Sequence, residues 1–209
     1  VGIRRTNVTV ETTRDGLDTT EVWHTPAGRL RQVRRQCRED GTSYLMEHLV
    51  KGPADLSAMA AIFEDQRAVA DLARLAGVRD RREFIGDDGL LMCFVPGTPM
   101  GMMYRVYSGV ETLAYLYADA RQELHDLFDL MEASYREQLG VCLESAADAF
   151  VGMDDTSTTV ISPAMFEEFK PGGVILDTGN LVDAAQTRAL ISQIKEATKK
   201  AGKGEVLSY

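Results

Sequence analysis

The stretch "GLLMCFVPG", residues 89–97, constrains the fold more than any other part of the chain. Six apolar residues stand in a row between glycines, with no polar position among them. The run has the length of a strand and is far short of the roughly 18 residues a membrane span needs. An amphipathic edge strand would alternate. A continuous run suits a strand buried on both faces, as in a parallel sheet covered by helices.

The flanking sequence supplies such helices. Pro53 opens a helical stretch with Leu56, Met59, Ala60, Ile62 and Phe63 at helical spacing. A second, "AVADLARLAGV", is expected to stop at Gly77. After the apolar run, "TPMGMMYRVYSGVETLAYLYAD" reads as one or two short helices around Gly109. The clearest helix follows. Leu124, Leu127, Phe128, Met131, Tyr135, Leu139 and Cys142 mark one face, while Asp119, Glu123, Asp126, Glu132 and Glu137 supply polar surface. It runs into "ADAFVGMDD", a strand. "SPAMFEEF" begins a new helix, with Ser162 as N-cap and Pro163 at its first position. "GGVILDTGN" is another strand, and "DAAQTRALISQIKEATKKAG" a last helix ending in lysines and Gly202. The strands expected to end at Val95, Asp155 and Asp177 should be parallel neighbours.

Ahead of this series, "NVTVETTRDGLDTTEVWHTP" reads as a β-hairpin. Val8 and Val10 alternate with polar residues, Asp15-Gly16 makes the turn, Val22 and Trp23 lie on the return, and Pro26 ends it. "GRLRQVRRQCRED" is basic and interrupted, an exposed strand or loop, and "SYLMEHLVKG" is a short extended segment. The class is α/β with parallel strands and helical crossovers.

Composition narrows the function classes. The 209 residues suffice for one substantial domain, and a net charge of −9 argues against a nucleic-acid surface. No run is apolar enough to cross a membrane, and no signal-peptide pattern opens the chain. Cys37, Cys93 and Cys142 are odd in number and widely spaced, which fits free thiols in a reducing cytoplasm. The chain begins at Val1 instead of Met, so further residues are expected upstream.

In α/β folds, ligands gather at the carboxyl ends of strands. Three such ends carry reactive or bending groups: "VPGTPMGMMYR", "MDDTST" and "LDTGN". Asp154 and Asp155 close an apolar strand, where a carboxylate meets open space instead of the sheet interior. Neighbouring strand residues point to opposite faces, so one acid is expected to face a pocket while the other caps a loop or meets an Arg. The plainer alternative is that both solvate a loop. His24, His48 and His125 have no metal-ligand spacing, and the cysteines form no paired motif. The methionines around Met100 suit core or pocket lining. A dinucleotide fingerprint and a P-loop are both absent from the sequence.

"DDTSTTVISPAMFEEF" resembles the acid-to-Ser-Pro-x-Met-Phe-x-x-Phe signature of the uroporphyrinogen decarboxylase superfamily. "GTPMGMMYRVYSGVETL" is similar to that family's Gly-x-Pro strand end and following helix. "TPAGRLRQV" and "YLMEHLVKGPADLSAM" resemble the hairpin and helix start of its methyltransferase-like branch, and the stretch from "KPGGVILDTGN" to "ATKKAGK" its final strand and helix. The segments occur in the family's order. The resemblance implies a (β/α)8 TIM barrel, incomplete in this chain, with an N-terminal hairpin. Such a barrel runs to about 250 residues. The chain then reads as one partial barrel domain over 1–209: hairpin and extended segment over 1–50, βα units over 51–169, final strand and helix over 170–209. A missing segment is expected between Phe169 and Lys170.

The resemblance also implies a site. Asp155 is its principal acid, with Tyr104, Arg105, Thr156 and Asn180 as substrate contacts around it. Arg105 stands where the family's decarboxylases have a Tyr, and Asn180 where they have a His. These departures favour the methyltransferase branch, which moves a methyl group between a corrinoid and a thiol or other small acceptor using zinc. Zinc, a corrinoid, a corrinoid protein and a second copy of the chain are therefore implied, although zinc ligands are not visible in the sequence. The alternatives are a tetrapyrrole decarboxylase, which sets an Asp against the pyrrole nitrogens, and a catalytically silent binding or scaffold relative.

Overall fold

The computed structural model divides the chain into two units, Val1–Phe169 and Lys170–Tyr209. It describes the first apart from Met153, Thr156 and Thr158, and in the second only Ala189, Ser192 and Glu196, each in helical conformation. The expected strand ending at Asp177, the helix ending at Gly202, the Phe169–Lys170 join, Thr156 and Asn180 all lie outside the described residues.

The first unit is mixed α/β. Strands β2 (Thr9–Asp15) and β3 (Asp18–Thr25) form the expected hairpin, with Asp15 opposite Asp18. Gly16, at φ 59°, supplies the left-handed residue that a two-residue hairpin turn requires. Strands β4 (Gly28–Gln36) and β5 (Ser43–Glu47) extend the pair into an antiparallel sheet of order β2-β3-β4-β5. The basic stretch is thus a full strand of that sheet. Its arginines are mostly exposed, while Leu30, Gln32 and Val33 are buried. The register shift between Val33↔Glu47 and Arg34↔Leu45 leaves Met46 of β5 as the extra, exposed residue of a bulge.

Helix α1 (Leu56–Asp65) packs on this sheet and on the long helix α5 (Arg121–Leu143). Short strands β1 (Gly2–Arg4) and β6 (Arg67–Val69) pair antiparallel on either side of it in sequence. The Asp65 carboxylate anchors the N-terminal segment by accepting the backbone N–H groups of Thr6, Asn7 and Val8 at 2.7, 2.8 and 3.0 Å. The core joins α1, α4 (Gly109–Asp119) and α5 through Met59, Ile62, Leu113, Leu116, Leu124, Leu127 and Met131.

Several expectations need correction. The strand expected to end at Asp155 covers only Ala149–Val151, so the acid pair lies in the loop beyond it, and Ala68 and Val69, read as the start of a helix, belong to β6. Helix α2 (Leu72–Ile85) passes through Gly77 and stops only at Gly86, whose φ is 54°. A glycine inside a helix costs only about 1 kcal/mol. The Asp71 side chain caps the start by accepting the Arg74 N–H at 3.1 Å. The apolar run does form a strand, β7 (Met92–Phe94), parallel to β8 (Ala149–Val151) as expected. It is not buried on both faces. Leu90, Met92 and Phe94 are 74, 61 and 77% exposed. Among the described residues β7 pairs with β8 alone, and a strand is covered on both faces only when layers lie on each side. No closed barrel is present among the described residues, and none of the described helices is long and apolar enough to cross a membrane.

Candidate functional site

The site is built where β7 and β8 end together. Val95 N–H donates to the Val151 carbonyl at 3.0 Å, extending the parallel pair by one residue. Beyond it, Gly152 runs close against Pro96, and a Cβ there would lie 3.1 Å from the Pro96 carbonyl oxygen. Both chains then turn outward, one into helix α3 (Pro99–Met102), the other into the loop that carries the acid pair.

Asp154 turns inward. Its carboxylate accepts the Thr98 N–H at 3.0 and 3.3 Å, at the start of α3. Thr98 is itself the N-cap of α3 and accepts the Gly101 N–H at 3.1 Å. A carboxylate at that position satisfies a donor left open by the helix start. Gly101 leaves room for this arrangement, because a Cβ there would overlap the Asp154 carboxylate as it now lies.

Asp155, in the loop beyond the end of β8, turns the other way. It is exposed, and its Oδ1 accepts the Ser157 N–H at 2.9 Å in a local Asx turn. Those Ser157 hydrogen bonds hold its carboxyl below the ordinary aspartate range, so it is ionised at neutral pH. Its own N–H donates to the Tyr104 hydroxyl oxygen. The structure therefore brings Asp155 and Tyr104 together.

Tyr104 and Arg105 share a π turn (Met103–Tyr107) that continues α3. The turn is closed by the Ser108 N–H donating five residues back to the Met103 carbonyl at 2.8 Å, with the Ser108 hydroxyl on the same oxygen at 3.2 Å. Such π turns widen a helix by one residue and re-aim the side chains they carry. Here Met103 and Tyr104 point into the core while Arg105 is exposed. Outside support comes from Val50, whose N–H donates to the Tyr107 carbonyl at 2.8 Å, and from His48, whose ring lies against Gly109. Tyr104 is only 6% exposed. Burial, followed by the charges of Asp154 and Asp155, raises its hydroxyl above the ordinary tyrosine value. The nearby Arg105 charge and the Asp155 N–H act in the opposite direction. The net result is a phenol that stays protonated at neutral pH.

Sequence reasoning singled out Tyr104, Arg105 and Asp155, and all three lie around this strand-end loop. It expected Asp154 and Asp155 to have different roles, but not that Asp154 would be the one turned inward, nor the role of Gly101. It also missed a second cluster on helix α6 (Pro163–Phe169), where Glu168 meets Tyr117, Arg121 and His125. Within α5 the four-residue spacing of Arg121 and His125 was a readable signal, whereas Tyr117 belongs to α4, across the backbone break at Ala120. Ser162 does cap α6, accepting the Met165 N–H at 3.2 Å. Among the described residues, no group of three or more His, Cys, Asp or Glu side chains could hold a metal ion, so these residues do not fit a zinc site. Cys37, Cys93 and Cys142 are free thiols.

A scan against protein-family models, a search of curated proteins and a search of solved structures each found no match.

Proposed function

We propose that the chain forms part of a methyltransferase-like enzyme of the uroporphyrinogen decarboxylase superfamily. In this proposal the βα series belongs to a (β/α)8 barrel, and a small acceptor such as a thiol binds at the carboxyl ends of its strands. The observation that carries the proposal is the parallel β7–β8 pair, linked through helices, with Tyr104 and Asp155 hydrogen-bonded to each other beyond its carboxyl ends. That is where parallel α/β enzymes concentrate their chemistry.

Each side chain has a task set by its protonation. Asp155, ionised, attracts a cationic or N–H group of the substrate and cannot act as a proton donor at neutral pH. Tyr104 accepts from the Asp155 amide with its oxygen, which leaves its own proton for a substrate acceptor. Arg105, exposed beside it, offers a planar fork to a substrate carboxylate. Thr156 and Asn180 join this set on the family resemblance alone. Zinc and a corrinoid belong to the same resemblance, and the described residues supply no zinc-ligand set. One observation favours the alternative, tetrapyrrole decarboxylation: an ionised, locally braced Asp155 is suited to accept pyrrole N–H groups.

The test uses the purified protein with two substrates, methylcobalamin plus a thiol, and a uroporphyrinogen. The proposal expects methyl transfer, reduced on the order of 100-fold by Asp155→Asn with an unchanged melting temperature. Decarboxylation without methyl transfer would establish the alternative. An Asp155→Asn protein with full activity would remove Asp155 from the site, and a lower melting temperature would make it a structural residue.

A further inference from the structure

The Asp154–Asp155 loop has two supports. Upstream it leaves β8, and downstream it enters α6, a helix of only seven residues. A helix that short has no stability of its own and is ordered by what it packs on. At its start, Ile161 and Met165 are buried in the core. At its end, Glu168 and Phe169 dock on one stripe of α4 and α5.

The contacts of that docking are dense. Glu168 accepts the Tyr117 hydroxyl at 2.7 Å and Arg121 Nε at 2.9 Å, with further bonds from Arg121 Nη2 and His125 Nε2. A carboxylate only accepts, so His125 carries its proton on Nε2 in this contact. The Arg121 guanidinium also lies over the Tyr117 ring, 4.6 Å from its centroid. Phe169 packs its ring on His125, Phe128 and Tyr117 at centroid distances of 4.9, 4.8 and 6.0 Å. This is more than an ordinary surface ion pair, since a bidentate arginine, a phenol and an imidazole converge on one carboxylate.

We propose that Glu168 is a positioning residue, a latch that pins the end of α6 to α4 and α5 and thereby keeps the Asp155 amide on the Tyr104 hydroxyl. Its relevance to catalysis rests on the reading that Asp155 lines the site. The latch itself is a mechanical statement about the loop and is tested without any activity.

The experiment is amide hydrogen exchange resolved at Asp155 and Ser157, whose N–H groups bond to Tyr104 and to the Asp155 carboxylate. Amides of α1 serve as the reference. The latch expects Glu168→Gln to speed exchange at Asp155 and Ser157 by about tenfold or more, while α1 exchanges as before. Tyr117→Phe and Arg121→Gln, which remove the partners instead, should each speed the same two amides. Unchanged exchange in Glu168→Gln overturns the latch. So does acceleration that spreads to α1, which makes Glu168 a general stability residue, or an effect that neither partner variant reproduces. Selective acceleration together with a fully active Asp155→Asn protein would leave the latch standing and overturn the proposed site.

Discussion

Gly101→Ala provides a test of the inward-turned acid whose sign depends on a second residue. Gly101 sits buried in α3, and an added Cβ would overlap Asp154 Oδ1, with Cγ at 2.5 Å. The obstructing atoms are the end of a side chain, so Asp154 swings away and the helix stays. That movement breaks the bonds from the Thr98 N–H, at 3.0 and 3.3 Å, to a charged acceptor. Hydrogen bonds to charged groups contribute about 1.5–3 kcal/mol. Alanine in a helix returns about 1 kcal/mol relative to glycine. Gly101→Ala should therefore destabilise the protein by about 0.5–2 kcal/mol. In an Asp154→Ala background no carboxylate remains to evict, and the same Gly101→Ala change should stabilise by about 1 kcal/mol. The double-mutant cycle should then show a coupling of about 1.5–3 kcal/mol, read from urea unfolding followed by circular dichroism. If Gly101→Ala changes stability equally in the two backgrounds, within about 0.5 kcal/mol, the argument that Asp154 occupies that space is wrong.

Three further outcomes are expected. Leu124→Ala removes a fully buried side chain at the centre of the α1–α4–α5 core and should cost about 2–5 kcal/mol in urea unfolding, whereas a loss under 1 kcal/mol would misplace the core. Gly109→Ala forces a side chain into a left-handed backbone of φ 76° with its Cβ 2.9 Å from His48 Nε2, and should cost upwards of about 1 kcal/mol; an unaffected midpoint would contradict the bracing of the π turn. Glu168, hydrogen-bonded by Arg121 and Tyr117, has its carboxyl lowered from 4.5 to about 2. Its contribution is therefore complete above about pH 4.5 and is lost as pH falls towards 2, so Glu168→Gln should flatten the stability profile over that window and leave its shape above pH 6 unchanged.

Much of the local structure was legible before any coordinates. The hairpin at Gly16 and the Ser162 cap rest on interactions within a few residues, which sequence spacing exposes directly, although the turn falls on Gly16 and Leu17, one residue later than Asp15-Gly16 predicts. The parallel relation of β7 and β8 was also legible, since a helix-rich stretch between two short apolar runs permits little else. The course of α2 was misread because a lone glycine is a weak stop, and the real terminator is the left-handed Gly86 beyond it. The two-faced burial of β7 was inferred from composition alone. Composition reports what a strand can tolerate on its faces, while exposure depends on which layers reach it.

The candidate site divides along the same line. Sequence by itself placed two adjacent acids just after an apolar strand and suggested that they would take different roles, although the strand ends at Val151 and the acids lie in the loop beyond it. Only the tertiary structure decided which acid went where. Asp154 is drawn inward because the start of α3, more than fifty residues earlier, presents an open N–H, and because Gly101 leaves room for a carboxylate. Asp155 is left to its own loop and to Tyr104, which a π turn aims back from that same distant segment. Pairings of this kind depend on distances across the fold, and spacing along the chain carries no record of them.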